Sequence, residues 1–303
     1  MRSIFFGTWQ TSSSSWSTTN IDDVKDGLTY AIEQGVANFD TAPSYADGLA
    51  EASLGDISKN SEQKIRIMTK IPPDMLASTL VHKSINNSLN RLRVETIDTV
   101  FIHWPAGSMG TDLIPVEETL NTLEELRKAG KILNIGLSNF ETKEIIDITQ
   151  SYRIDAIQNC YSLLWRSPEL GLLDFTRKNN IPFYAYSPVA AGLLFLRQFE
   201  DIFESDSDHR KYIKLLGVHG DQVKATIKLL LSCYDKNILA EVGIRWLLSK
   251  GVIPILGIKN KDTINFAIRA MALGPLDPLE VMKLDNLTQS LKESIGEDYC
   301  LWG

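Results

Sequence analysis

Cysteine and histidine are scarce in this sequence, which has 3 Cys and 4 His among 303 residues. Cys160, Cys233 and Cys300 are far apart and odd in number, which argues against a disulfide framework and is typical of a reducing compartment. The histidines and cysteines show no metal-ligand spacing. We therefore expect neither a structural nor a catalytic zinc ion, and no other metal.

Long apolar runs and an excess of basic residues are also missing. No uniform apolar run approaches the roughly 20 residues that a membrane helix needs, and "MRSIFFGTWQ" is too short an apolar start for a secretory signal. The formal net charge is −7, which disfavours nucleic acid and anionic membranes as partners. These absences predict a soluble, cytoplasmic protein, and they leave its oligomeric state open.

What the sequence does contain is a regular alternation of short apolar runs with longer segments of helical period. The predicted strands are "SIFFGT", "ANFDT", "KIRIMTK", "DTVFIHW", "ILNIGLS", "DAIQNCY", "PFYAYSP" and "VIPILGI". Eight such units favour a single (β/α)₈ TIM barrel of the α/β class over residues 1–303. A doubly wound open sheet is the alternative, but its GxGxxG signature does not follow the first strand.

Two segments interrupt this alternation. The polar "TSSSSWSTTN" follows the first strand, and an excursion at about residues 194–236 follows the seventh. The excursion is far longer than a normal connection between a strand and a helix. It would be either a surface detour with two helices or a clamp over the mouth of the barrel.

Four polar side chains at or just beyond successive strand ends form a coherent acid–base unit: Asp40, Tyr45, Lys70 and His103. Chemistry in a barrel takes place at the carboxyl ends of the strands. A free phenol has a pKa of about 10, and a neighbouring ammonium group lowers it. Asp40 would keep Lys70 charged, and His103 would orient a carbonyl oxygen beside the Tyr45 hydroxyl. The set predicts a general acid directed at a developing alkoxide.

Each of these residues also has a structural interpretation when it is taken alone. Asp40 could cap the turn that follows it, Lys70 could be a surface lysine, and His103 could be a satisfied core residue. The structural interpretation would have to be true of every one of these residues at the same time, although they lie at successive strand ends. The catalytic interpretation is therefore preferred.

The motifs "NFDTAPSYADGLAEASLG", "MTK", "IHWP", "GLSNF", "IQNCYSLL", "YSPVAAGLL" and "IPILGIKN" occur in this order from about Phe6 to Ala270. The sequence resembles the aldo-keto reductases in these motifs. The resemblance implies a (β/α)₈ barrel that transfers a hydride between NAD(P)(H) and a carbonyl or alcohol, with Tyr45 as proton donor. Lys70 and Asp40 would tune Tyr45, and His103 would orient a small-molecule aldehyde, ketone or sugar-type substrate.

The resemblance also implies a cofactor site along the strand ends and the loops after them. Its residues would be Gly7, Thr8, Trp9, Asp40, Ser138, Asn139, Gln158, Tyr186, Ser187, Pro188, Gly192, Leu193, Lys259, Asn260 and Asn265. Ser138, Asn139 and Gln158 match carboxamide positions, and Tyr186 matches the aromatic residue that stacks on nicotinamide. Ser187, Gly192 and Leu193 match the pyrophosphate loop, and Lys259 and Asn260 match the adenosine end.

The sequence departs from the family pattern at three places. Ala50 precedes Glu51 where a serine is usual, and "VAAGLL" replaces "LAGGLL". After "IKN" the chain continues "KDTINFAIRA" in place of the usual arginine and asparagine around the adenine, and Asn265 is expected to replace one of these. A 2′-phosphate contact would rest mainly on Lys259, so NADP is favoured and NAD is the alternative.

The substrate pocket would be walled by Trp9, Tyr45, His103 and Trp104. A cofactor-binding subunit that senses redox state with little turnover is the alternative function. A metal-dependent hydrolase lacks the necessary ligand set.

Overall fold

The computed structural model describes residues 5–11, 21–195 and 213–302. The predicted polar loop lies outside these residues from position 12 onward. Eight strands form one closed parallel barrel in chain order, so the predicted (β/α)₈ architecture is confirmed. The strands are β1 Phe5–Gly7, β2 Asn38–Asp40, β3 Arg66–Ile71, β4 Ile97–Ile102, β5 Ile132–Ser138, β6 Ala156–Cys160, β7 Phe183–Tyr186 and β8 Ile253–Gly257.

Helices follow the strands and surround the barrel. They are α1 Ile21–Glu33, α2 Leu49–Ser58, α3 Ser78–Leu92, α4 Val116–Lys128, α5 Thr142–Thr149, α6 Leu172–Lys178, α7 Gly220–Cys233, α8 Leu239–Ser249, α9 Lys261–Leu273, α10 Pro278–Leu287 and α11 Gln289–Ile295. Within the described ranges, no helix is long and apolar enough to cross a membrane.

The first helix illustrates why these segments fold as they do. Val24, Leu28 and Ala31 are fully buried on one face of α1, as their helical spacing requires. Asp22 and Asp23 lie in the first turn, where carboxylates interact favourably with the helix dipole. Gly35 follows the helix with a φ of 82°, a conformation that glycine adopts without strain.

The barrel interior is filled by a small layer of buried side chains. Its members come from six strands: Phe5, Met68, Phe101, Ala156, Tyr184 and Ile255. The fifth strand contributes Gly136, where a Cβ atom would lie 2.4 Å from the Phe101 ring. This close approach explains the glycine, because a larger residue there would displace the ring from the interior.

The positions of the interior side chains show which later residues of each strand point into the barrel mouth. Alternate residues of a strand point to the same face. Lys70 is therefore placed above Met68, and Gln158 above Ala156. His103, just past the end of β4, continues the face of Phe101. The mouth is polar because each of these strands changes from an apolar to a polar residue at its last inward position.

The excursion after β7 is partly described. Residues 213–236 contain α7, and α8 begins three residues later. Residues 196–212 lie outside the described part, so the clamp interpretation stays a prediction for them. The described part contains one helix of the two considered from the sequence.

A buried ionic cluster holds the connection between β6 and α6 against the last helices. Glu169 Oε2 accepts hydrogen bonds from Arg166 Nη2 at 2.7 Å and Lys292 Nζ at 2.9 Å. Its Oε1 accepts from the Tyr161 hydroxyl at 2.8 Å and lies 3.5 Å from Lys250 Nζ. Burial alone would raise the pKa of Glu169, but Arg166, Lys292 and Lys250 lower it to about 2.

This cluster should make the fold sensitive to acid. The pKa of Glu169 is lower in the folded chain, so its stabilisation is complete above about pH 4.5 and is lost as pH falls towards 2. We expect Glu169→Gln to lower the free energy of unfolding by about 3 kcal/mol at pH 7. Denaturant unfolding from pH 7 to 3 measures this difference, which should shrink as pH falls. Asp174→Asn, in an exposed pair with Arg177, is the control, and a pH-independent difference would contradict the prediction.

Candidate active site

A buried ion pair joins the ends of β2 and β3. Lys70 Nζ lies 2.7 Å from Asp40 Oδ2 and donates a second hydrogen bond to the carbonyl oxygen of Thr41 at 2.8 Å. Asp40 Oδ1 accepts from Gln158 Nε2 at 2.8 Å. Lys70 is 1% exposed and Asp40 is 4% exposed. The pair is thus fully hydrogen-bonded, which a buried charge requires.

Tyr45 lies directly above this pair. Lys70 Nζ is 5.0 Å from the centroid of the Tyr45 ring, and the ring is half-buried. Tyr45 begins a turn in which Ala46 and Asp47 have φ values of 50° and 53°. Two left-handed residues in succession are unfavourable without glycine, so the turn is held by its surroundings. Its conformation places the phenol over the ammonium group.

The net pKa of Tyr45 differs from the sequence-based expectation. Burial raises the pKa, and the positive charge of Lys70 lowers it by less, so the pKa lies above its usual value. Lys70 lowers the pKa of Tyr45, as expected from the sequence. The net pKa is nevertheless raised, so the expectation of a lowered pKa is wrong. At neutral pH Tyr45 is therefore a phenol that can donate a proton.

Lys70 stays charged despite its burial. Burial alone would lower its pKa, but the charges of Asp40 and Tyr45 and its hydrogen bonds to them raise the pKa above the usual value. The ammonium group is consequently a fixed positive charge beneath the phenol. Such a charge stabilises negative charge that develops on the Tyr45 oxygen.

His103 faces Tyr45 at the end of β4. Their ring centroids are 5.9 Å apart in an edge-to-face arrangement. Burial and the neighbouring Lys70 charge hold the pKa of His103 well below its usual range. His103 is therefore neutral at pH 7, and a neutral imidazole can donate one hydrogen bond to a carbonyl oxygen.

The residues predicted to hold the carboxamide also meet in the structure. Asn139 Oδ1 accepts from the Tyr186 hydroxyl at 2.7 Å, and Asn139 Nδ2 donates to Ser138 Oγ at 3.1 Å and the His103 carbonyl at 2.9 Å. Gln158 pairs with Ser138 across β5 and β6 and also holds Asp40. These groups connect the predicted nicotinamide position with the acid–base set.

The loop after β7 contains several residues with a left-handed backbone. Ser187, Ala190 and Ala191 have φ values between 51° and 53°, and Gly192 has 90°. Two of its amides donate within the loop, since Ala190 N binds the Ser187 carbonyl at 2.8 Å and Gly192 N binds the Val189 carbonyl at 3.0 Å. Pro188 and Leu193 are buried beside them. The pyrophosphate position in this loop stays a prediction.

Lys259, Asn260 and Asn265 form a separate exposed group at the start of α9. Asn260 caps the helix, because its Oδ1 accepts from the Thr263 amide at 3.1 Å. Asn265 Oδ1 accepts from the Tyr30 hydroxyl at 2.9 Å. The helix N-terminus and Lys259 lie together where the sequence predicts a phosphate group, with the acidic Asp262 in the first turn.

The remaining predicted residues lie at the end of β1 and just after β4. Gly7 pairs with Asp40 across β1 and β2, and Thr8 Oγ1 donates to Thr41 Oγ1 at 2.9 Å. Trp9 contacts Trp302 edge to face, with ring centroids 5.4 Å apart. Trp104 is half-buried beside His103, at 6.4 Å between centroids.

Two groups that contact the site residues were not among the residues predicted from the sequence. The Thr41 carbonyl is a direct ligand of the Lys70 ammonium group, and its position next to Asp40 was the available signal. Asn159 Oδ1 accepts from the Asn139 amide at 2.8 Å, which supports the left-handed φ of 62° at Asn139. Asn159 is adjacent to Gln158, so the "QN" motif contained this signal.

Comparisons with known families, proteins and structures agree with the resemblance seen in the sequence motifs. The family model described as "Aldo/keto reductase family" matches residues 3–289. Aldo-keto reductase YhdN of Bacillus subtilis is 28% identical over 262 residues, which cover 82% of this chain and 77% of that protein. The NADH-specific methylglyoxal reductase of Escherichia coli is 32% identical over 188 residues, covering 56% of this chain and 57% of that protein.

A solved structure of a thermostable aldo-keto reductase in complex with the inhibitor epalrestat is similar to the structure of this chain, with a TM-score of 0.74. It is 26% identical, and the match covers 94% of each chain.

Proposed function

Since the chain belongs to the aldo/keto reductase family of NAD(P)H-dependent oxidoreductases, we propose that it reduces an aldehyde or ketone with NADPH, or oxidises the corresponding alcohol. The observation that carries the proposal is the fixed Lys70 charge 5.0 Å from the Tyr45 ring, beside a neutral His103. A hydroxyl donor, a positive charge below it and a neutral imidazole beside it are what carbonyl reduction requires.

The cofactor supplies a hydride to the carbonyl carbon when it is bound. The chain's own residues then act on the carbonyl oxygen. His103 donates a hydrogen bond that orients this oxygen, and Tyr45 gives it a proton as the alcohol forms. Lys70, held by Asp40 and Thr41, stabilises the phenolate that remains on Tyr45. The net reaction consumes one carbonyl, one NADPH and one proton and yields an alcohol and NADP⁺.

Three parts of the chain fit such a cofactor. Ser138, Asn139 and Gln158 would hold the carboxamide, and Tyr186 would stack on the nicotinamide ring. The loop from Ser187 to Gly192 would hold the pyrophosphate. The start of α9 offers the helix dipole and Lys259 to a 2′-phosphate. These features support NADP, whereas the Escherichia coli relative named as NADH-specific keeps NAD as the alternative.

A carbonyl screen tests the proposal. The purified protein is mixed with NADPH or NADH and a panel of aldehydes and ketones, and loss of nicotinamide absorbance is followed. We expect the protein to oxidise NADPH in the presence of at least one of the aldehydes or ketones. Tight NADPH binding, measured by fluorescence, without turnover on any carbonyl would favour a redox-sensing subunit instead.

Cofactor preference should depend on Lys259. Lys259→Met removes one positive charge from the start of α9, and we expect the Kd for NADPH to rise about tenfold. The Kd for NADH should change less than about twofold, because NADH has no 2′-phosphate. Fluorescence titration with both cofactors measures this. Lys261→Met is the control, since Lys261 Nζ lies over the Tyr30 ring at 5.4 Å. An equal loss for both cofactors, or no loss, would contradict the assignment.

A further inference from the structure

A second buried carboxylate lies behind the acid–base set, at the start of α2. Glu51 is in the first turn of this helix, and its side chain is completely buried. Its Oε1 accepts a hydrogen bond from Thr69 Oγ1 at 2.6 Å, and its Oε2 accepts one from Arg91 Nε at 2.7 Å. A buried carboxylate is costly unless it is paired and hydrogen-bonded. These contacts therefore fix the start of α2 against β3 and α3.

The contact with Thr69 connects Glu51 to the strand that carries the ammonium group. Thr69 directly precedes Lys70 in β3, and successive residues of a strand point to opposite faces. Lys70 points into the barrel mouth, so Thr69 points outward to α2, where it is fully buried. The Thr69 hydrogen bond consequently holds α2 against the backbone on which Lys70 is mounted.

The start of α2 is connected just as directly to the predicted proton donor. The turn Tyr45–Gly48 runs into α2, and the Leu49 amide donates to the carbonyl oxygens of Tyr45 and Ala46. Gly48 ends the turn, and a Cβ atom there would lie 2.8 Å from Cδ and Nε of Arg91. The Arg91 side chain thus packs against the end of the turn while it binds Glu51.

This turn depends on contacts from outside itself. Ala46 and Asp47 have φ values of 50° and 53°, which L-residues other than glycine rarely adopt. Such backbone persists only where the surrounding structure determines it. The brace formed by Thr69, Glu51 and Arg91 supplies contacts of this kind, because it joins the end of the turn to β3 and α3.

We propose that Glu51 is a positioning residue, and that the brace sets the place of the Tyr45 hydroxyl relative to the Lys70 ammonium group. This inference rests on the proposed function, because it concerns the proton donor of that reaction. Glu51 acts on Tyr45 through the backbone of the turn and on Lys70 through Thr69, rather than by contact with the substrate. Proton transfer needs the donor within hydrogen-bond reach of the carbonyl oxygen, so a displaced turn slows that step.

The direct test replaces Glu51 by Met, which has a similar length but no oxygen to bind Thr69 or Arg91. We expect kcat for carbonyl reduction with NADPH to fall about 10–100-fold, since a displacement of about 1 Å costs up to about 100-fold. KM for the carbonyl should change less than about twofold, because His103 lies on β4, outside the brace. The ratio of kcat in H₂O to kcat in D₂O should rise, because proton transfer then limits the rate more strongly.

A conservative variant should restore the rate. In Glu51→Gln the amide oxygen can accept from Arg91 Nε, and the amide nitrogen can donate to the Thr69 hydroxyl. Both hydrogen bonds of the brace are then kept without the charge, so kcat should return to within about threefold of the wild type. Glu51→Met combined with Arg91→Met should have about the same kcat as Glu51→Met alone, because residues of one network do not act additively.

The matched control removes another buried carboxylate that binds an arginine, at the opposite end of the barrel. Asp155 accepts from Arg127 Nη1 at 3.2 Å and from the Ile135 amide at 3.1 Å, and its side chain is 8% exposed. Asp155→Leu should lower the unfolding temperature but leave kcat and the solvent isotope ratio unchanged. If Glu51→Met does not fold, Thr69→Val carries the same test. It removes one hydrogen bond of the brace, keeps the shape of the side chain, and should lower kcat about three- to tenfold.

The outcomes distinguish this inference from the function on which it rests. Turnover by the wild type, with kcat lowered in a folded Glu51→Met and restored in Glu51→Gln, supports both. Turnover by the wild type with kcat in the folded Glu51→Met or Thr69→Val within twofold of it overturns the brace and leaves the proposed function intact. An equal loss of kcat in Asp155→Leu also overturns the brace, since the loss would then follow stability alone. Absence of turnover on any carbonyl by the wild type overturns both.

Discussion

Replacing Tyr45 by Phe should lower kcat for carbonyl reduction by about 10²–10⁴-fold, the usual contribution of a positioned general acid. Phenylalanine keeps the ring over Lys70 Nζ but has no proton to give. The alkoxide that forms on the substrate would have to take its proton from water instead. Steady-state kinetics with NADPH and the best carbonyl of the screen measures the loss.

Two further measurements separate this effect from damage to the site. The Kd for NADPH and the unfolding temperature should stay at their wild-type values in Tyr45→Phe. Tyr152→Phe is the matched control, because its hydroxyl contacts Asn121 at 3.1 Å on the outer surface, and it should keep full activity. If Tyr45→Phe reduces the carbonyl at the wild-type rate, the assignment of the proton donor is wrong.

Replacing Lys70 by Met should remove activity and also destabilise the fold by about 3–5 kcal/mol, the usual result of deleting one partner of a buried ion pair. The Asp40 carboxylate would keep its hydrogen bond from Gln158 at 2.8 Å but would lose the charge that neutralises it. Denaturant unfolding measures the stability, and NADPH oxidation measures the activity.

A double variant separates the two roles of Lys70. Asp40→Asn combined with Lys70→Met removes both charges, so most of the lost stability should return. Activity should not return, because no positive charge remains beneath Tyr45. Recovery of activity with stability would mean that Lys70 acts only through the fold. An unchanged free energy of unfolding in the single variant would contradict the buried ion pair.

The architecture could be predicted because strands and helices differ in the period of their apolar residues. All eight predicted strands are present, and the polar residues that end them point into the mouth by simple alternation. Lys70 above Met68 and Gln158 above Ala156 illustrate this. The positions of Asp40, Lys70 and His103 thus followed from local sequence and from the closure of one parallel sheet.

Other features depend on contacts that local sequence does not contain. The bridge between Ile213 and Trp302 joins segments about 90 residues apart in the chain, and no motif marks it. The turn after Tyr45 uses left-handed Ala46 and Asp47, and alanine is a residue type that does not predict this conformation. The net pKa of Tyr45 depends on a balance between burial and the Lys70 charge, and only the charge could be inferred from the sequence.

Transfer of deuterium from NADPH labelled at C4 of the nicotinamide to a carbonyl substrate is the sharpest test of hydride transfer at this site. The cofactor is labelled on one face or on the other, and the alcohol product is analysed by mass spectrometry. We expect one labelled face alone to deliver deuterium to the former carbonyl carbon, since Tyr186 and Asn139 would hold the ring in one orientation. Alcohol without deuterium from either cofactor, or no alcohol at all, would contradict hydride transfer at this site.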